Sequence, residues 1–317
     1  MDNLTHSLIG AALGQAGLKR RTGLAMPALI VAANLPDIDA ACFFWLDGTE
    51  HLGFRRGITH GPIAMVVLPL LLAGALWGFD RWQAGRGKRP EGRLPVSFKW
   101  LFLLSLIGCL SHPLFDWFNN YGVRVLEPFS STWFYGDVLF IIDVWILIAL
   151  GIGVWRSLRA ERSGSLAWHR PARIAGLSVL TYVAFNFAFS WFVAAGPQYD
   201  GPNVRVANPV PIAFWKREVL WRDEGWLDHP RRQETYGKYE YSIFGGEIES
   251  TRVSFGPTNM ADPRIAQWAK GDPQAEAFLF WSRMPVAQPG PKGILLYDQR
   301  FMDRPARGNF TVELKPR

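Results

Sequence analysis

Long apolar runs dominate the first part of the chain. Five of them approach or reach the roughly 20 helical residues that cross the roughly 30 Å hydrocarbon core of a bilayer. They are residues 24–46, 61–79, 98–118, 138–155 and 174–195. A shorter apolar stretch, residues 4–18, lacks the basic region and cleavage site of a signal peptide, so we predict a half-helix or an interfacial helix there. The pattern predicts an all-α polytopic membrane helix bundle over residues 1–196.

The hydrophobic pattern changes after this region. Pro, Gly and charged residues then interrupt short stretches in which apolar and polar residues alternate, at residues 213–221, 238–244, 294–300 and 310–314. Such alternation is typical of strands, whereas residues 262–284 predict one or two helices. We therefore expect residues 197–317 to form a C-terminal β-rich (α+β) domain outside the membrane.

Composition and charge agree with a membrane protein. Of the 317 residues 49% are hydrophobic and 15 are Trp, which is high for a soluble protein. A net charge of +7 would also fit nucleic-acid binding, but the basic residues gather in short segments between apolar runs, where membrane topology explains them. Nucleic acid is therefore disfavoured as a partner. Cys42 and Cys109 lie far apart in apolar stretches and form no CxxC zinc pattern.

Lys and Arg also predict the orientation of the bundle. The basic connections, residues 19–21, 81–99 and 156–173, fall on one side if the runs alternate, and the positive-inside rule makes that side the cytoplasm. The opposing connections, residues 47–59 and 119–136, are poor in basic residues and should face outward. We expect a multi-pass protein of the bacterial inner membrane whose C-terminal domain is periplasmic.

Seven acidic or imidazole side chains lie in or beside the apolar runs, where an ionisable group is costly. The topology, although derived from Lys and Arg alone, places all seven on the outward side. This coincidence predicts one shared metal site, with two or more ions possible. The seven predicted ligands are His6, Asp37, Asp39, His60, His112, Asp116 and Asp143.

Local spacing supports several of these ligands. His112 and Asp116 are four residues apart, so on a helix both can reach one cation. Pro36 favours a helix break directly before Asp37. Asp143 follows Ile142 in an apolar run, and we expect it one to two turns inside a helix, where a carboxylate must be neutral, paired or metal-bound.

Nitrogen and oxygen ligands without thiolate suit zinc best, with manganese or magnesium as alternatives. A bound ion lowers the pKa of its water towards about 7, and a carboxylate, Asp39 or Asp116, would serve as the base. Arg55 and Arg56 are candidate phosphate clamps, or else solvated loop cations. Asn120 and its neighbours could orient ligands or substrate, or simply end the helix.

Taken in order, five segments resemble the YdjM family, LexA-regulated inner-membrane proteins described as metal-dependent hydrolases. The resemblance covers roughly residues 1–150, and the family looks related to zinc-dependent phospholipase C and single-strand nuclease enzymes. It therefore implies phosphoester hydrolysis. The segments are residues 2–6 (DNLTH), 35–39 (LPDID), 56–61 (RGITHG), 111–116 (SHPLFD) and 141–143 (IID).

The sequence thus favours a membrane-embedded metal-dependent hydrolase that acts on an amphipathic, lipid-like phosphoester, because lipid headgroups reach outer-leaflet depth more easily than polymers do. Two alternatives stay open. An ion- or proton-coupled transporter would use His and Asp as relays and would show inverted repeats. A non-catalytic scaffold would use the metal only to hold helices together, in a site closed by four protein ligands.

Overall fold

The computed structural model describes residues 1–195, 204–223, 235–254, 260–302 and 307–316. It divides into two compact units. The N-terminal unit comprises Met1–Asp39 and Arg56–Phe187, and the C-terminal unit comprises Ala40–Arg55 and Ala188–Arg317. The sequence predicts a domain boundary between residues 196 and 197. In the structure, residues 40–55 and 188–196 also belong to the C-terminal unit.

The first 195 residues are mainly helical. The short helix predicted at residues 4–18 is present as α1 (Asn3–Gln15). Asp2 caps it by accepting hydrogen bonds from the backbone N–H groups of Leu4 and Thr5. Three 3-10 segments, Leu18–Arg21, Leu35–Phe44 and Ile58–His60, connect the α-helices. In chain order the helices are α1 (Asn3–Gln15), α2 (Ala25–Ala32), α3 (Glu50–Phe54), α4 (Ala64–Gly85), α5 (Phe98–Trp117), α6 (Val144–Arg162) and α7 (Arg170–Ala194).

Within the described residues, α4, α5 and α7 are long and apolar enough to cross a membrane. A fourth span results if α2 and the 3-10 segment Leu35–Phe44, which are bent by 49°, count as one. The helix break that Pro36 predicts is therefore confirmed. The prediction of a membrane-spanning helical bundle is confirmed in its α4, α5 and α7 segments.

The fifth apolar run, residues 138–155, differs from the prediction. Its first residues are not helical, since the N–H groups of Val138 and Leu139 both donate to the carbonyl of Phe118. Helix α6 begins only at Val144, and its second half carries Arg156, Arg159, Glu161 and Arg162. It lacks the continuous apolar length of the other three helices.

Close backbone contact joins α1, α2 and α5. A Cβ atom on Gly108 of α5 would lie 2.8 Å from the carbonyl oxygen of Leu29 and 2.9 Å from the Cβ of Ala32. Only glycine lets α5 approach α2 this closely. The buried apolar side chains beside this contact include Ala28, Leu29, Leu101 and Leu104.

The C-terminal unit is α+β, as its alternating pattern predicts. Its described residues form two antiparallel sheets, with strand orders β1-β2-β3-β4 and β5-β6-β7. The strands are β1 (Val204–Pro209), β2 (Lys216–Asp223), β3 (Thr235–Ser242), β4 (Gly246–Ser254), β5 (Pro285–Pro289), β6 (Ile294–Asp298) and β7 (Thr311–Leu314). Helices α8 (Pro263–Ala269) and α9 (Pro273–Trp281) precede β5, and α3 packs on α9, where the Thr49 hydroxyl donates to the Gln274 carbonyl.

Candidate metal centre

Four of the predicted ligands converge in the N-terminal unit. Asp37, His60, His112 and Asp116 each offer one ligand atom, and these atoms all lie within 4.8 Å of one another. All four side chains are buried. They come from three places in the chain: the break after α2, the 3-10 turn before α4 and the last two turns of α5. This buried group could hold a metal ion.

Asp116 lies at the centre of the group. Its Oδ2 atom is 3.5 Å from the Nε2 atoms of both His60 and His112, and 3.0 Å from Nε of Arg56. Its Oδ1 atom faces Nε2 of His6 at 3.3 Å and also contacts the α-amino group of Met1. The two oxygens of one carboxylate therefore face different sets of nitrogen atoms.

The backbone orients His112. Its Nδ1 lies 2.7 Å from the carbonyl oxygen of Ala33, so Nδ1 carries the proton and donates, which leaves the lone pair on Nε2. That Nε2 atom is 3.7 Å from Oδ1 of Asp37 and faces Asp116 one helical turn away. A hydrogen bond of this kind is what usually fixes the tautomer of a metal-binding imidazole.

His60 is oriented by its neighbours in the same way. Its Nδ1 lies 3.0 Å from the Thr59 hydroxyl and 3.6 Å from Oδ2 of Asp39. Burial lowers the pKa of His60, against the opposing effect of Asp116 and Asp39, and so favours the neutral, metal-binding imidazole. The next residue must be small, because a Cβ on Gly61 would collide with the carbonyl oxygen of Glu127.

Asp39 lies beside the group of four and organises the turn that carries His60. Its Oδ2 accepts hydrogen bonds from the Arg56 backbone N–H at 2.7 Å and the Thr59 hydroxyl at 3.0 Å. Arg56 has a left-handed backbone, with φ of 55°. A non-glycine residue in that conformation needs such support from its surroundings.

The two imidazoles of the group and the adjacent His6 contain buried nitrogen atoms without a hydrogen-bond partner among the described residues. Across the described part of the chain, Nε2 of His6, His60 and His112 accepts or donates no hydrogen bond. A buried polar atom without a partner costs about 1–3 kcal/mol. A divalent cation would satisfy these nitrogen atoms, and the mixture of imidazole and carboxylate suits zinc. The residues therefore fit a metal ion.

The remaining predicted ligands, His6 and Asp143, lie differently. His6 is beside the group, with its ring stacked on that of His112 at a centroid distance of 3.8 Å. Asp143 does not lie inside a helix, and that prediction is wrong. It caps α6 by accepting hydrogen bonds from the N–H groups of Trp145 and Ile146, and its Oδ2 accepts one from the Tyr182 hydroxyl.

The predicted substrate-binding residues are assigned to different units. Arg56 lies at the site, where its Nη1 donates to Oδ1 of Asn119 and to the carbonyl of Gly122. Arg55 belongs to the C-terminal unit, and its guanidinium lies over the ring of Phe43. Asn120 is fully buried in the N-terminal unit.

Two contributors were not identified from the sequence. Thr59 orients His60 and bonds to Asp39. Its position directly before the predicted ligand His60 could have indicated this role. The Ala33 carbonyl, which accepts from His112, gives no such signal because every residue has a carbonyl group.

Comparisons with known proteins find a match to the part of the chain that contains the candidate metal centre. The family model described as "YdjM inner membrane protein" matches residues 1–195. "Uncharacterized protein YfhP" of Bacillus subtilis (strain 168) is 27% identical over 165 residues, which cover 49% of this chain and 46% of the relative. The chain thus spans about half the length of that curated relative. No solved structure matches the chain.

Proposed function

Because the chain belongs to the YdjM inner membrane protein family, we propose that it is a membrane-embedded, metal-dependent hydrolase. Its substrate is an amphipathic, lipid-like molecule with a phosphoester bond. The observation that carries this proposal is the buried group Asp37, His60, His112 and Asp116, in which imidazole nitrogens lack hydrogen-bond partners among the described residues.

These four residues would hold the ion, which when bound would lower the pKa of a coordinated water towards about 7. Asp116 has a second role in the proposal. Its Oδ2, which faces His60 and His112, would hold the cation, and its Oδ1, which faces His6 and contacts the α-amino group of Met1, would accept a proton from water. Asp39, the other predicted base, instead positions His60 and Arg56 through the hydrogen bonds of its Oδ2.

Arg56 is the proposed phosphate-binding residue. Its guanidinium is within 3.0 Å of Asp116 and is steered by the Asn119 side chain. A planar guanidinium binds two phosphate oxygens at once, which a Lys ammonium does not. Arg55, whose guanidinium lies over Phe43, serves as the matched control at a neighbouring position.

The position of the ligands within the helices supports a substrate that reaches the site from the membrane surface. His60 comes just before α4, and Asp116 lies in the last turn of α5, so both mark the same end of this antiparallel helix pair. The connection at the other end contains Arg86, Lys88, Arg89 and Arg93. By the positive-inside rule the ligand end faces outward, at headgroup depth.

The test is hydrolysis by the full chain in detergent, after chelation and after return of Zn²⁺, Mn²⁺ or Mg²⁺. We expect a short-chain phospholipid to be cleaved only with metal, and cleavage to fall at least 100-fold in His112→Ala. Arg56→Gln should raise KM with little loss of bound metal, whereas Arg55→Gln should change neither. A loaded protein that cleaves none of a panel of phospholipids and nucleotide esters would contradict the proposal.

One observation favours a second candidate, a metal that only joins helices. Four protein ligands are enough to close a tetrahedral zinc site, and here they join the α2 break, the turn before α4 and α5. A coordination position occupied by water, detected by X-ray absorption on the zinc-loaded protein, supports the hydrolase. Four protein ligands and no water support the purely structural metal.

A further inference from the structure

An apolar recess lies between α1, α6 and α7, apart from the four-residue metal group. Its volume is about 380 Å³, within the range of small-molecule pockets. Arg173 is the sole charged residue among those that line it. The other lining residues are Ile9, Ala12, Leu13, Ala16, Phe115, Leu150, Ala172, Gly176, Leu177, Val179 and Leu180.

The recess opens along the exposed face of α7. Leu177 and Leu180, on one of its walls, are 66% and 62% exposed, and the adjacent Ile174 is 65% exposed. All three belong to α7, a helix long and apolar enough to cross a membrane. In a bilayer these side chains face hydrocarbon, so the molecules available to enter the recess from this side are lipids.

One end of the recess is strongly basic. Arg173 is anchored there, with its Nε donating to the carbonyl oxygen of Ala16 at 2.8 Å. Desolvation and the charges of Arg173, Arg170 and Arg20 lower the pKa of His169, so all three arginines lie near this residue, which directly precedes α7. Helix α7 also begins at Arg170, so its dipole adds partial positive charge at the same end.

We propose that this recess binds an anionic phospholipid, with an acyl chain along α7 and the phosphate among Arg20, Arg170 and Arg173. The lining residues from Ala172 to Leu180 extend about 12 Å along α7 at 1.5 Å per residue, enough for the upper part of an acyl chain. The charge complementarity selects an anionic headgroup over a zwitterionic one.

This site differs from the proposed hydrolytic centre. Its basic end lies where α1 ends and α7 begins, whereas the metal group adjoins the first turns of α1 and the last turns of α5. Within the described recess there is no His, Asp or Glu that could activate water. The lipid is therefore held and not cleaved.

The experiment measures binding of dioleoyl phosphatidylglycerol, dioleoyl phosphatidylcholine and inorganic phosphate to the full chain in detergent, with chelator present so that metal-dependent cleavage cannot contribute. The readout is the rise in melting temperature with ligand concentration, because a ligand of the native state stabilises it. We expect phosphatidylglycerol to bind more tightly than phosphatidylcholine.

Two variants test the two parts of the site. Arg173→Gln keeps a donor for Ala16 but should weaken phosphatidylglycerol binding about fivefold, the equivalent of ~1 kcal/mol per charge. Gly176→Phe should abolish it by filling the recess, since no atom lies within 4 Å of a Cβ at that position.

The controls are Arg86→Gln, whose guanidinium lies over the Trp82 ring, and Gly74→Phe, whose Cβ position in α4 is equally open. Both should bind as the unmodified chain does. Equal affinity for the two lipids, full stabilisation by inorganic phosphate alone, or unchanged binding in a folded Gly176→Phe protein would each overturn the proposal.

Discussion

The two units of this protein bury charge in opposite ways. In the C-terminal unit, Asp298 is fully buried, and both of its oxygens accept hydrogen bonds from the Arg300 guanidinium at 2.8 Å. The Ser282 hydroxyl adds a further bond at 2.6 Å. In the N-terminal unit, Asp116 is just as buried. The imidazoles around it, however, have buried Nε2 atoms without a hydrogen-bond partner among the described residues.

Whether its buried polar groups have hydrogen-bond partners distinguishes a network that stabilises the fold from one that is suited to bind a ligand. A buried polar network whose groups are all satisfied rigidifies a fold, whereas one with missing partners costs stability unless something else completes it. Asp298 and Arg300 complete each other within the chain. The group of Asp37, His60, His112 and Asp116 has the donor atoms of a metal site, and a bound ion could complete it.

Breaking the C-terminal pair should have the largest effect on stability. Asp298→Ala leaves the Arg300 guanidinium buried and uncompensated, which typically costs about 3–5 kcal/mol. Hydrogen exchange should therefore accelerate strongly in the peptides that cover β6. Metal content should stay unchanged, since Asp298 is outside the metal group.

The matched control is Glu240→Gln, which removes a partly exposed ion pair with Lys216. Exposed pairs contribute about 0–1 kcal/mol, so β6 should exchange as in the unmodified chain. Equal protection in Asp298→Ala and Glu240→Gln would mean that the buried pair does not stabilise this unit.

Returning zinc to chelator-treated protein should stabilise the N-terminal unit specifically. Binding to the native state at 100 times the dissociation constant contributes about 2.7 kcal/mol. Exchange should slow in peptides from α5 and the turn that carries His60, and should not change in β6. His60→Ala should remove this response, and a zinc response that survives in His60→Ala would place the ion elsewhere.

A smaller effect should follow from separating α5 and α2. Gly108→Ala puts a methyl group 2.8 Å from the Leu29 carbonyl oxygen, one helical turn before His112. Overpacking of this kind costs about 1–3 kcal/mol and should also weaken zinc affinity, because it moves His112 away from the Ala33 carbonyl. Gly74→Ala, with open space around its Cβ, should change neither property. Identical melting temperatures for the two variants would contradict the close packing.

The smallest expected effect is the loss of stability of the C-terminal unit at low pH. Burial by itself raises the pKa of Asp298, but the charge and hydrogen bonds of Arg300 outweigh it and hold the pKa below the usual value. The stabilisation is therefore fully present above the unfolded-state pKa of about 4 and is lost as pH falls through the folded-state pKa. Protection of β6 should decline below about pH 4, and Asp298→Asn should flatten this decline. An equal slope in both proteins would exclude Asp298 as the titrating group.

Much of the fold was predictable because the helices are apolar runs and the strands are alternating stretches. Helices α4, α5 and α7, the break at Pro36 and the α+β tail follow from these patterns. Helix α6 does not, because residues 138–142 continue the apolar pattern of a span, and yet the N–H groups of Val138 and Leu139 donate to the Phe118 carbonyl. Asp is nevertheless a preferred residue at the N-terminal cap of a helix, and Asp143, although it lies within the apolar run, takes that position.

The candidate site was predictable in its segments but not in its contacts. The i, i+4 spacing correctly predicts that His112 and Asp116 meet, since one helix face carries both. Asp37 and Asp39 are equivalent in the sequence, yet Asp37 faces His112 while Asp39 accepts from the Arg56 backbone N–H. That distinction depends on backbone conformation at Arg56, including its positive φ, which no residue pattern encodes.

Whether Asp37, His60, His112 and Asp116 bind a metal ion is decided by the metal content of protein purified without chelator, measured by mass spectrometry for the unmodified chain and two variants. His112→Ala removes a residue of the central group, whereas Asp143→Asn alters a helix cap outside that group. We expect at least one zinc or similar ion per chain in the unmodified protein and in Asp143→Asn, and almost none in a folded His112→Ala. If the unmodified protein holds no metal, or if His112→Ala retains the metal in full, these four residues are not a metal site.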